Sequence, residues 1–530
     1  MKNEHLQDNS EQEMIQIPLA EYQSMKEQIS ELTQKVDWFI EQTRISRHKR
    51  FAPSSEQTKG VQLTFSDFDN VFNEAEVTAD EKAPEPELTE VKKYYRKKTR
   101  LVTDRLPEGL PVEIIEHCLP AEEQICSTCG GELHVMGKEV RSELKLIPAK
   151  AVIVEHVKYT YGCRYCEKNA ESSPVVKATM PDPVIKGSFA SPEAIAQIMC
   201  EKYIMGAPLY RQEKDFERNG IQLSRQTMSN WLIKSTEDWL IPIYNALKEN
   251  LLENDVLFSD DTTLQVLKEP DKKAQTKSYL WVYRTGSNPP FHIALYEYQP
   301  DRKALRPKEF LDGFTGFLHT DAYAGYRSLP SNIILVGCFA HARRKWCDAL
   351  TALLPKDREG SKAMIGKQYC DKLFELERDF LECTPRERYD RRLELAKPIL
   401  DEFYSWLLTL SPSNKSSLGR AVNYTLKEWP YLERYLMDGR LELSNNRSER
   451  ALKPFVIDRK NFLFCITPQG ARSSAVIFSI IETAKENGLN PYEYLTFIFK
   501  NAPNWDIRND AEALHRLMPD QAPDSCKVKS

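Results

Sequence analysis

The stretch DVLFSDDTTLQVL, Asp255–Leu267, decides the fold of the largest part of the chain. It predicts a β-strand, and because successive side chains of a strand point to opposite faces, Val256, Phe258 and Asp260 share one face. The elements predicted after it are, in order, strands at Tyr279–Tyr283 and Phe291–Tyr296, a helix around Lys303–Leu311, strands at Gly316–Asp321 and Ile333–Cys338, and the helix FAHARRKWCDALTALL, Phe339–Leu354.

This order of elements, β-β-β-α-β-β-α, is that of a ribonuclease-H-like mixed sheet. In such a sheet the first and fourth strands lie side by side and run parallel. Asp260 and Asp321 are therefore expected to face each other at the centre of the sheet. A single Asp at a strand end usually starts a turn. Two aspartates that meet in the predicted fold, close to a third acidic residue, indicate a functional site instead of a turn.

The third acid lies in LSNNRSERALKPFVIDRKNFLF, Leu443–Phe464, where Glu449 is surrounded by basic side chains. A carboxylate that binds a divalent cation, among bases that bind phosphates, explains this pattern. Two other interpretations stay open: a helix capping box formed by Asn446 and Glu449, or an ordinary i,i+4 pair of Glu449 with Lys453. The basic residues are Arg447, Arg450, Lys453, Arg459 and Lys460.

Length and composition limit the class of protein. A chain of 530 residues is expected to hold three or more domains. The net charge of −5 argues weakly against a protein coated in nucleic acid, although clustering of charge matters more than the sum. The first residues are polar and acidic, and no apolar run approaches the ~18 residues of a membrane span. A cytoplasmic protein without a membrane partner is expected.

Two CxxC pairs, Cys126 with Cys129 and Cys163 with Cys166, account for four of the twelve cysteines. Val140–Val157 between them alternates and is rich in Val and Ile, which predicts a strand or hairpin. Two such pairs beside a small sheet are typical of a zinc ribbon, in which four thiolates leave no open position, so the metal is structural. Redox dithiols are the alternative, and they rarely occur as two matched pairs.

The N-terminal region predicts self-association. Apolar residues recur at heptad spacing between Ile15 and Phe39, which indicates a short coiled coil. A lone amphipathic helix is the alternative. The two seam positions are taken by Tyr22, Ile29 and Val36 and by Met25, Leu32 and Phe39.

A flexible acidic linker is followed by a sharply basic run, Lys92–Arg105, that includes Lys97, Lys98 and Arg100. Such a run favours an arm that lies along the DNA backbone. A solvated charge run explains it equally well.

Three short helices are predicted next. The first starts at Ser191, the second spans Pro208–Asn219 and ends at Gly220, and the third starts at Ser224. The third buries an apolar face and turns polar side chains outward, as in a helix-turn-helix-like module. Gln and Asn suit adenine edges and Arg suits guanine, although ordinary amphipathic helices look the same. The buried residues are Met228, Trp231 and Leu232, and the outward ones include Arg225, Gln226 and Asn230.

Several longer motifs together resemble one family, the insertion-sequence-66 type transposases of the DDE class. They are CSTCGGEL with CRYC, YIMGAPLYRQEKDFERNGIQLSRQTMSNWL, SDDTTLQVL, LHTDAYAGY, GCFAHARRKW, SNNRSERALKP, RKNFLF and IIETAKENGLNPYEYL. The resemblance implies that Asp260, Asp321 and Glu449 are the catalytic carboxylates. Asp261 stands where the family more often has Glu, and Ala322 where Gly is commoner. Asp261 therefore leaves open which adjacent acid binds metal.

The resemblance also implies a reaction. Two Mg²⁺ ions about 4 Å apart, replaceable by Mn²⁺, would assist cleavage at the element's end and attack of the freed 3′-hydroxyl on target DNA. Arg343, Arg344, Arg450 and Lys453 would contact the DNA backbone, together with His341. Cys338 and His341 form a CxxH that fits a metal ligand pair or a helix start. Expected partners are element-end and target DNA, a second copy of the chain and small accessory proteins of the element, with nucleoid association.

The fold class expected is multidomain α+β. The segments are a coiled-coil helix (1–50), a flexible acidic linker (51–90), a basic DNA-binding arm (91–120), a zinc ribbon (121–183), a helix-turn-helix-like module (187–250), a ribonuclease-H-like catalytic domain in two parts (252–354 and 441–485), a helical insertion (355–440) and a C-terminal helical tail (486–530). Two alternatives to an active transposase are a catalytically inactive DNA-binding relic or repressor, and another ribonuclease-H-like nuclease. The intact acids argue against the first, and the ribbon and insertion argue against the second.

Overall fold

The computed structural model describes residues 179–287 and 289–528, with short pieces of the preceding chain: 18, 21–26, 28, 32, 36, 154–157, 160–162 and 175–177. The chain divides into two units, residues 1–52 with 181–527 and residues 53–180 with 528–530. In the second unit, strands β1 (Thr160–Gly162) and β2 (Val175–Lys177) pair antiparallel. The predicted linker, the basic arm and the CxxC cysteines lie outside the described residues. These comprise Lys97, Lys98, Arg100, Cys126, Cys129, Cys163 and Cys166.

The predicted N-terminal helix is helical at the described positions 21–26, 28, 32 and 36. Four seam side chains, Tyr22, Met25, Leu32 and Val36, are exposed. The other two seam residues, Ile29 and Phe39, lie outside the described residues. Exposure of the seam fits the predicted coiled coil, and self-association stays a prediction.

The three short helices are present as predicted. Serine caps begin the first and third of them: the hydroxyl oxygens of Ser191 and Ser224 accept hydrogen bonds, each at 3.1 Å, from backbone N–H groups three residues on. Gly220, with φ +77°, turns the chain between the second and third. These helices and the one that leads to the sheet are α1 (Pro192–Tyr203), α2 (Leu209–Arg218), α3 (Arg225–Ser235) and α4 (Ile241–Leu252).

One five-stranded mixed sheet forms the centre of the larger unit, with strand order β5-β4-β3-β6-β7. Strand β4 is antiparallel to β3 and β5, and β6 is parallel to β3 and β7. The predicted parallel pairing of the first and fourth strands of this region is confirmed. The elements are β3 (Val256–Gln265), β4 (Lys277–Thr285), β5 (Ala294–Gln299), helix α5 (Leu305–Phe310), β6 (Gly316–His319), β7 (Ile333–Val336) and helix α6 (Phe339–Thr351).

Residues 355–440 are helical, as predicted, but their helices do not form a core apart from the sheet. Val256 and Phe258 of β3 and Trp346 of α6 share one apolar cluster with Phe403 and Trp429 from these helices. The insertion therefore covers one face of the sheet. Its helices are α7 (Lys362–Asp379), α8 (Pro385–Arg391), α9 (Lys397–Leu408) and α10 (Ser417–Leu432).

The last helices cover the other face. The hydroxyls of Ser479 and Thr483 accept hydrogen bonds from the backbone N–H groups of Tyr296 and Ala294, at 2.8 and 3.1 Å, so the edge strand β5 is covered. The predicted C-terminal tail packs against α1. The four helices are α11 (Asn446–Phe462), α12 (Pro468–Glu486), α13 (Pro491–Asn501) and α14 (Ala511–His515). No helix of the described part of the chain has the length and apolarity needed to cross a membrane.

A buried arginine holds the segment that leads into α11. The side chain of Arg392 is fully buried and pairs with Glu377 at 2.6 Å. Its guanidinium also donates to the backbone carbonyls of Tyr435, Asp438 and Leu441 at 2.8–3.1 Å. One cation thus ties the insertion to the chain just before Glu449.

We expect Arg392→Ala to lower the free energy of unfolding by about 3–5 kcal/mol, because it removes a fully buried cation and leaves Glu377, only 16% exposed, without its partner. Arg391→Ala, at the exposed neighbouring position, is the matched control and should change it by about 0.5 kcal/mol or less. Urea denaturation followed by tryptophan fluorescence measures both. Equal midpoints for the two variants would contradict this role of Arg392.

Candidate active site

The register of the sheet brings Asp260 and Asp321 together. Phe258 of β3 pairs with His319 of β6. Asp260 lies two residues after Phe258, and Asp321 lies two residues after His319. Since the strands are parallel, both side chains lie at the same level. Burial, and then the negative charge of Asp321, raise the pKa of Asp260 well above its usual range. The two carboxylates therefore interact, as the sequence predicted.

Glu449 joins them from the first turn of α11. The side-chain amide of Asn445, which precedes this helix, donates to the backbone carbonyl of Ser259 at 3.0 Å, so the helix start is fixed beside Asp260. The charge of Glu449 also contributes to the raised pKa of Asp260. The charges of Asp321 and Glu449 thus both act on Asp260, so the three acids lie in one neighbourhood.

A capping box does not explain Glu449. Helix α11 begins at Asn446, so the capping position is Asn445, whose side chain makes no capping hydrogen bond. The Oε1 atom of Glu449 is buried and has no hydrogen-bond partner among the described residues. A carboxylate oxygen buried in this way costs free energy unless a cation or donor satisfies it. A pair of Glu449 with Lys453 stays compatible with either role.

Arg302 distinguishes the two adjacent aspartates of β3. Its Nη2 atom lies 2.7 Å from Oδ1 of Asp261 and 3.5 Å from Oδ2 of Asp321. Its guanidinium stacks over the ring of Tyr323, 4.0 Å from the centroid. Asp260 instead accepts a hydrogen bond from the backbone N–H of Asp261 at 2.8 Å. Asp261 is thus held by an arginine, whereas Asp260 faces the other acids.

Helix α6 supplies the surroundings of Glu449. Its Oε1 lies 3.5 Å from Nε2 of His341, and its Oε2 lies 3.7 Å from Nη2 of Arg344. Burial lowers the pKa of His341. Cys338 caps the helix, so the helix-start interpretation of the CxxH is confirmed. At the same time Cys338, His341 and Glu449 offer ligand atoms within 4.8 Å of one another, so the two interpretations do not exclude each other.

The remaining predicted DNA contacts differ in exposure. Arg343 turns toward Asp371 and pairs with it at 2.6 Å. Arg459 is bound to β3, with a hydrogen bond of 3.3 Å to the hydroxyl of Thr262. The exposed side chains among them are Arg450 and Lys460 beyond the cluster and Arg225, Gln226 and Asn230 on α3.

Two residues of the site, Arg302 and Asn445, have no signal in the sequence pattern. Arg302 follows an edge strand in the sequence QPDRKA, where a lone arginine carries no periodic signal. Asn445 and Asn446 are adjacent, and the three-residue spacing to Glu449 pointed to a role for Asn446. The second asparagine fits the capping-box spacing, yet the first makes the tertiary contact.

The acid cluster fits hard divalent cations. Burial, and then repulsion by the neighbouring carboxylates, raise the pKa of Asp260, and a bound cation would offset both effects. Oxygen ligands of this kind suit Mg²⁺, which needs only a few protein carboxylates. Asp260, Asp321 and Glu449 are the residues that would hold it.

A mixed sheet flanked by helices, with acids on one strand and just beyond a parallel neighbour, is compatible with the transposase class that sequence comparison indicates. The chain belongs to the IS66 family of transposases: the model described as "Transposase IS66 family" matches residues 187–473, more than half of the chain. Three further models match: "zinc-finger binding domain of transposase IS66" at 123–167, "IS66 C-terminal element" at 479–519 and "Transposase C of IS166 homeodomain" at 38–115.

Similar proteins occur in Sinorhizobium fredii (strain NBRC 101917 / NGR234). "Uncharacterized protein y4jD" is 30% identical over 410 residues, which cover 74% of this chain and 77% of that protein. "Uncharacterized protein y4qI" is 30% identical over 435 residues, 77% of this chain and 74% of that protein. These names state no activity, so the function is argued from the site and the family.

Proposed function

We propose that this protein is a transposase that binds the ends of an insertion sequence and catalyses DNA cleavage and strand transfer at Asp260, Asp321 and Glu449. The observation that carries the proposal is that these acids approach one another from β3, from the chain two residues beyond β6 and from the first turn of α11. The strand order supports a ribonuclease-H-like fold for this region. Bound Mg²⁺ or Mn²⁺ would activate the attacking oxygen and neutralise the leaving one.

Different residues of the site are assigned to cation binding, to positioning and to contact with the DNA backbone. The cations would be held by Asp260, Asp321 and Glu449. Arg302 pairs with Asp261, so this adjacent carboxylate does not compete for the cations. Arg344, whose side chain is 44% exposed beside Glu449, and the exposed Arg450 would contact the backbone of the scissile DNA. Arg343 is assigned a structural role because it pairs with Asp371. At the C-terminal end of α11, Lys460 is proposed to contact phosphate, because its side chain is exposed whereas Arg459 is bound to β3.

Recognition of the element end would come from other segments. The proposed contacts are Arg225, Gln226 and Asn230 on the exposed face of α3, and the arm with Lys97, Lys98 and Arg100 along the backbone. Structural zinc on Cys126, Cys129, Cys163 and Cys166 would fold the ribbon. We also propose a homo-oligomer built on the N-terminal heptads, small accessory proteins as partners, and a cytoplasmic location on the nucleoid.

Binding to labelled duplexes tests the recognition helix. Gln226→Ala and Asn230→Ala should each reduce the preference for element ends over random DNA by about 1–3 kcal/mol, because each side chain reads a base edge. Gln521→Ala, at an exposed position far along the chain, is the matched control and should leave the preference unchanged. Affinity should also fall steeply with salt, by roughly 10³-fold between 50 and 200 mM for six or more phosphate contacts.

Equal binding of both DNAs by the unaltered protein would contradict the proposal that α3 recognises the element end. So would α3 variants that lose affinity for both DNAs to the same extent, since that pattern indicates a backbone contact.

A further inference from the structure

Two helix starts bring together a thiol, an imidazole and a carboxylate, of which the acid cluster uses only the carboxylate of Glu449. Cys338 caps α6, His341 lies in the first turn of that helix, and Glu449 lies in the first turn of α11. The thiol, imidazole and carboxylate offer ligand atoms that all lie within 4.8 Å of one another. The spacing Cys-x-x-His places the first two on one side of a helical turn.

The sulfur of Cys338 lies among backbone donors. The N–H of Asn445 donates to Sγ at 3.1 Å, and the amides of Ala340 and His341 at the start of α6 also point to it. Donors of this kind stabilise a thiolate. A bound cation supplies the positive charge that makes the thiolate stable there.

The other two side chains carry unsatisfied atoms. Nδ1 of His341 and Oε1 of Glu449 are buried, and neither has a hydrogen-bond partner among the described residues. An unsatisfied buried polar atom costs free energy. Coordination to one cation would use the imidazole and the carboxylate together and recover part of this cost.

We propose that Cys338, His341 and Glu449 form a binding site for a zinc-class cation. A thiolate, an imidazole and a carboxylate are ligands that select Zn²⁺ rather than Mg²⁺. Three protein ligands leave a fourth position for water. This site is separate from the four-thiolate ribbon and holds one cation more per chain.

Zinc bound here has a consequence that rests on the proposed function. Glu449 belongs to both ligand sets, so a zinc ion on Cys338 and His341 withdraws it from Asp260 and Asp321. Zinc therefore inhibits the Mg²⁺-dependent reaction, and removal of Cys338 relieves the inhibition.

Cobalt binding tests the site without any activity measurement. The full-length protein, with its ribbon zinc in place, is titrated with Co²⁺, and thiolate-to-cobalt charge-transfer absorption is recorded. One equivalent of Co²⁺ should produce this absorption. Cys338→Ser should abolish it, and His341→Gln should weaken Co²⁺ binding by about 10–100-fold or more, the cost of losing even an outer partner of a ligand. Cys347→Ser, on the same helix, is the matched control and should bind like the unaltered protein.

Unchanged cobalt absorption in Cys338→Ser would overturn the site. So would the absence of a cobalt equivalent in the unaltered protein. His341→Gln changes a side chain that is 23% exposed, so it keeps the test valid where the buried Cys338→Ser variant fails to fold. In a parallel assay, Zn²⁺ should lower DNA cleavage by the unaltered protein but not by Cys338→Ser. Cobalt binding together with zinc-insensitive cleavage would overturn the inhibitory role, and a protein that binds cobalt but never cleaves would contradict the proposed function instead.

Discussion

Glu449→Gln is expected to abolish DNA cleavage and strand transfer while leaving the fold and DNA binding intact. Gln keeps the size of the side chain and one oxygen, but it loses the charge that would hold a divalent cation beside Arg344. Loss of one such ligand should lower the rate by roughly 10³-fold or more. The measurement is the yield of cleaved and joined products on labelled element-end DNA, with affinity for the same DNA determined by fluorescence anisotropy.

Glu433→Gln is the matched control, because it makes the same change of charge at an exposed position in the chain before α11. Its rate should equal that of the unaltered protein. If Glu449→Gln retained activity within a small factor, Glu449 would be structural and the cation site would lack its third acid.

Asp260→Asn is expected to abolish the same reaction and also to stabilise the protein in the absence of divalent cations. Burial and the charges of Asp321 and Glu449 raise the pKa of Asp260, so its ionised form opposes folding at neutral pH. Each unit of raised pKa costs about 1.4 kcal/mol there. Asn removes this cost, and the free energy of unfolding in EDTA should rise by about 1 kcal/mol or more.

The stabilisation of the protein by Asp260→Asn should increase with pH. Below the pKa of Asp260 in the unfolded chain, the carboxyl is protonated in both states and contributes nothing. As pH rises above that value, the unfolded chain loses its proton first, so the native protein is progressively disfavoured. The stability difference between Asp260→Asn and the unaltered protein should therefore grow from acid to neutral pH in urea titrations.

Asp261→Asn is the matched neighbour and should stabilise the protein less than Asp260→Asn does. Burial raises the pKa of Asp261 as well, but Arg302, which lies 2.7 Å from this carboxylate, offsets part of the rise and loses that partner in the variant. Asp261→Asn should also affect cleavage less than Asp260→Asn does. A stabilising Asp261→Asn with a destabilising Asp260→Asn would reverse the assignment of the two acids.

The sequence predicted the parts of this site that depend on local pattern. The strand at Val256–Gln265 is predicted from its own residues, and the order of later elements predicts that β3 and β6 are parallel neighbours. The serine caps and Gly220 predict the ends of the short helices because their backbone chemistry is local. Asp260 and Asp321 follow from these elements together with the register of the sheet.

Contacts between distant segments could not be predicted in this way. The hydrogen bond from Asn445 to Ser259 joins residues 186 positions apart, and the pairing of Arg302 with Asp261 crosses from one strand end to another strand. The insertion has an ordinary amphipathic pattern, which does not indicate that its aromatic residues pack under β3. Periodicity identifies the buried face of a helix but not its partner.

The central claim is that Asp260, Asp321 and Glu449 act as one unit, and single-turnover cleavage tests it most directly. Rates for Asp260→Asn, Glu449→Gln and the double variant are compared with the unaltered protein, all at matched DNA occupancy in Mg²⁺. Residues that act as a unit give losses that do not multiply, so the double variant should be no slower than the worse single variant. Cleavage rates close to that of the unaltered protein, or losses that multiply as for independent residues, would contradict the claim.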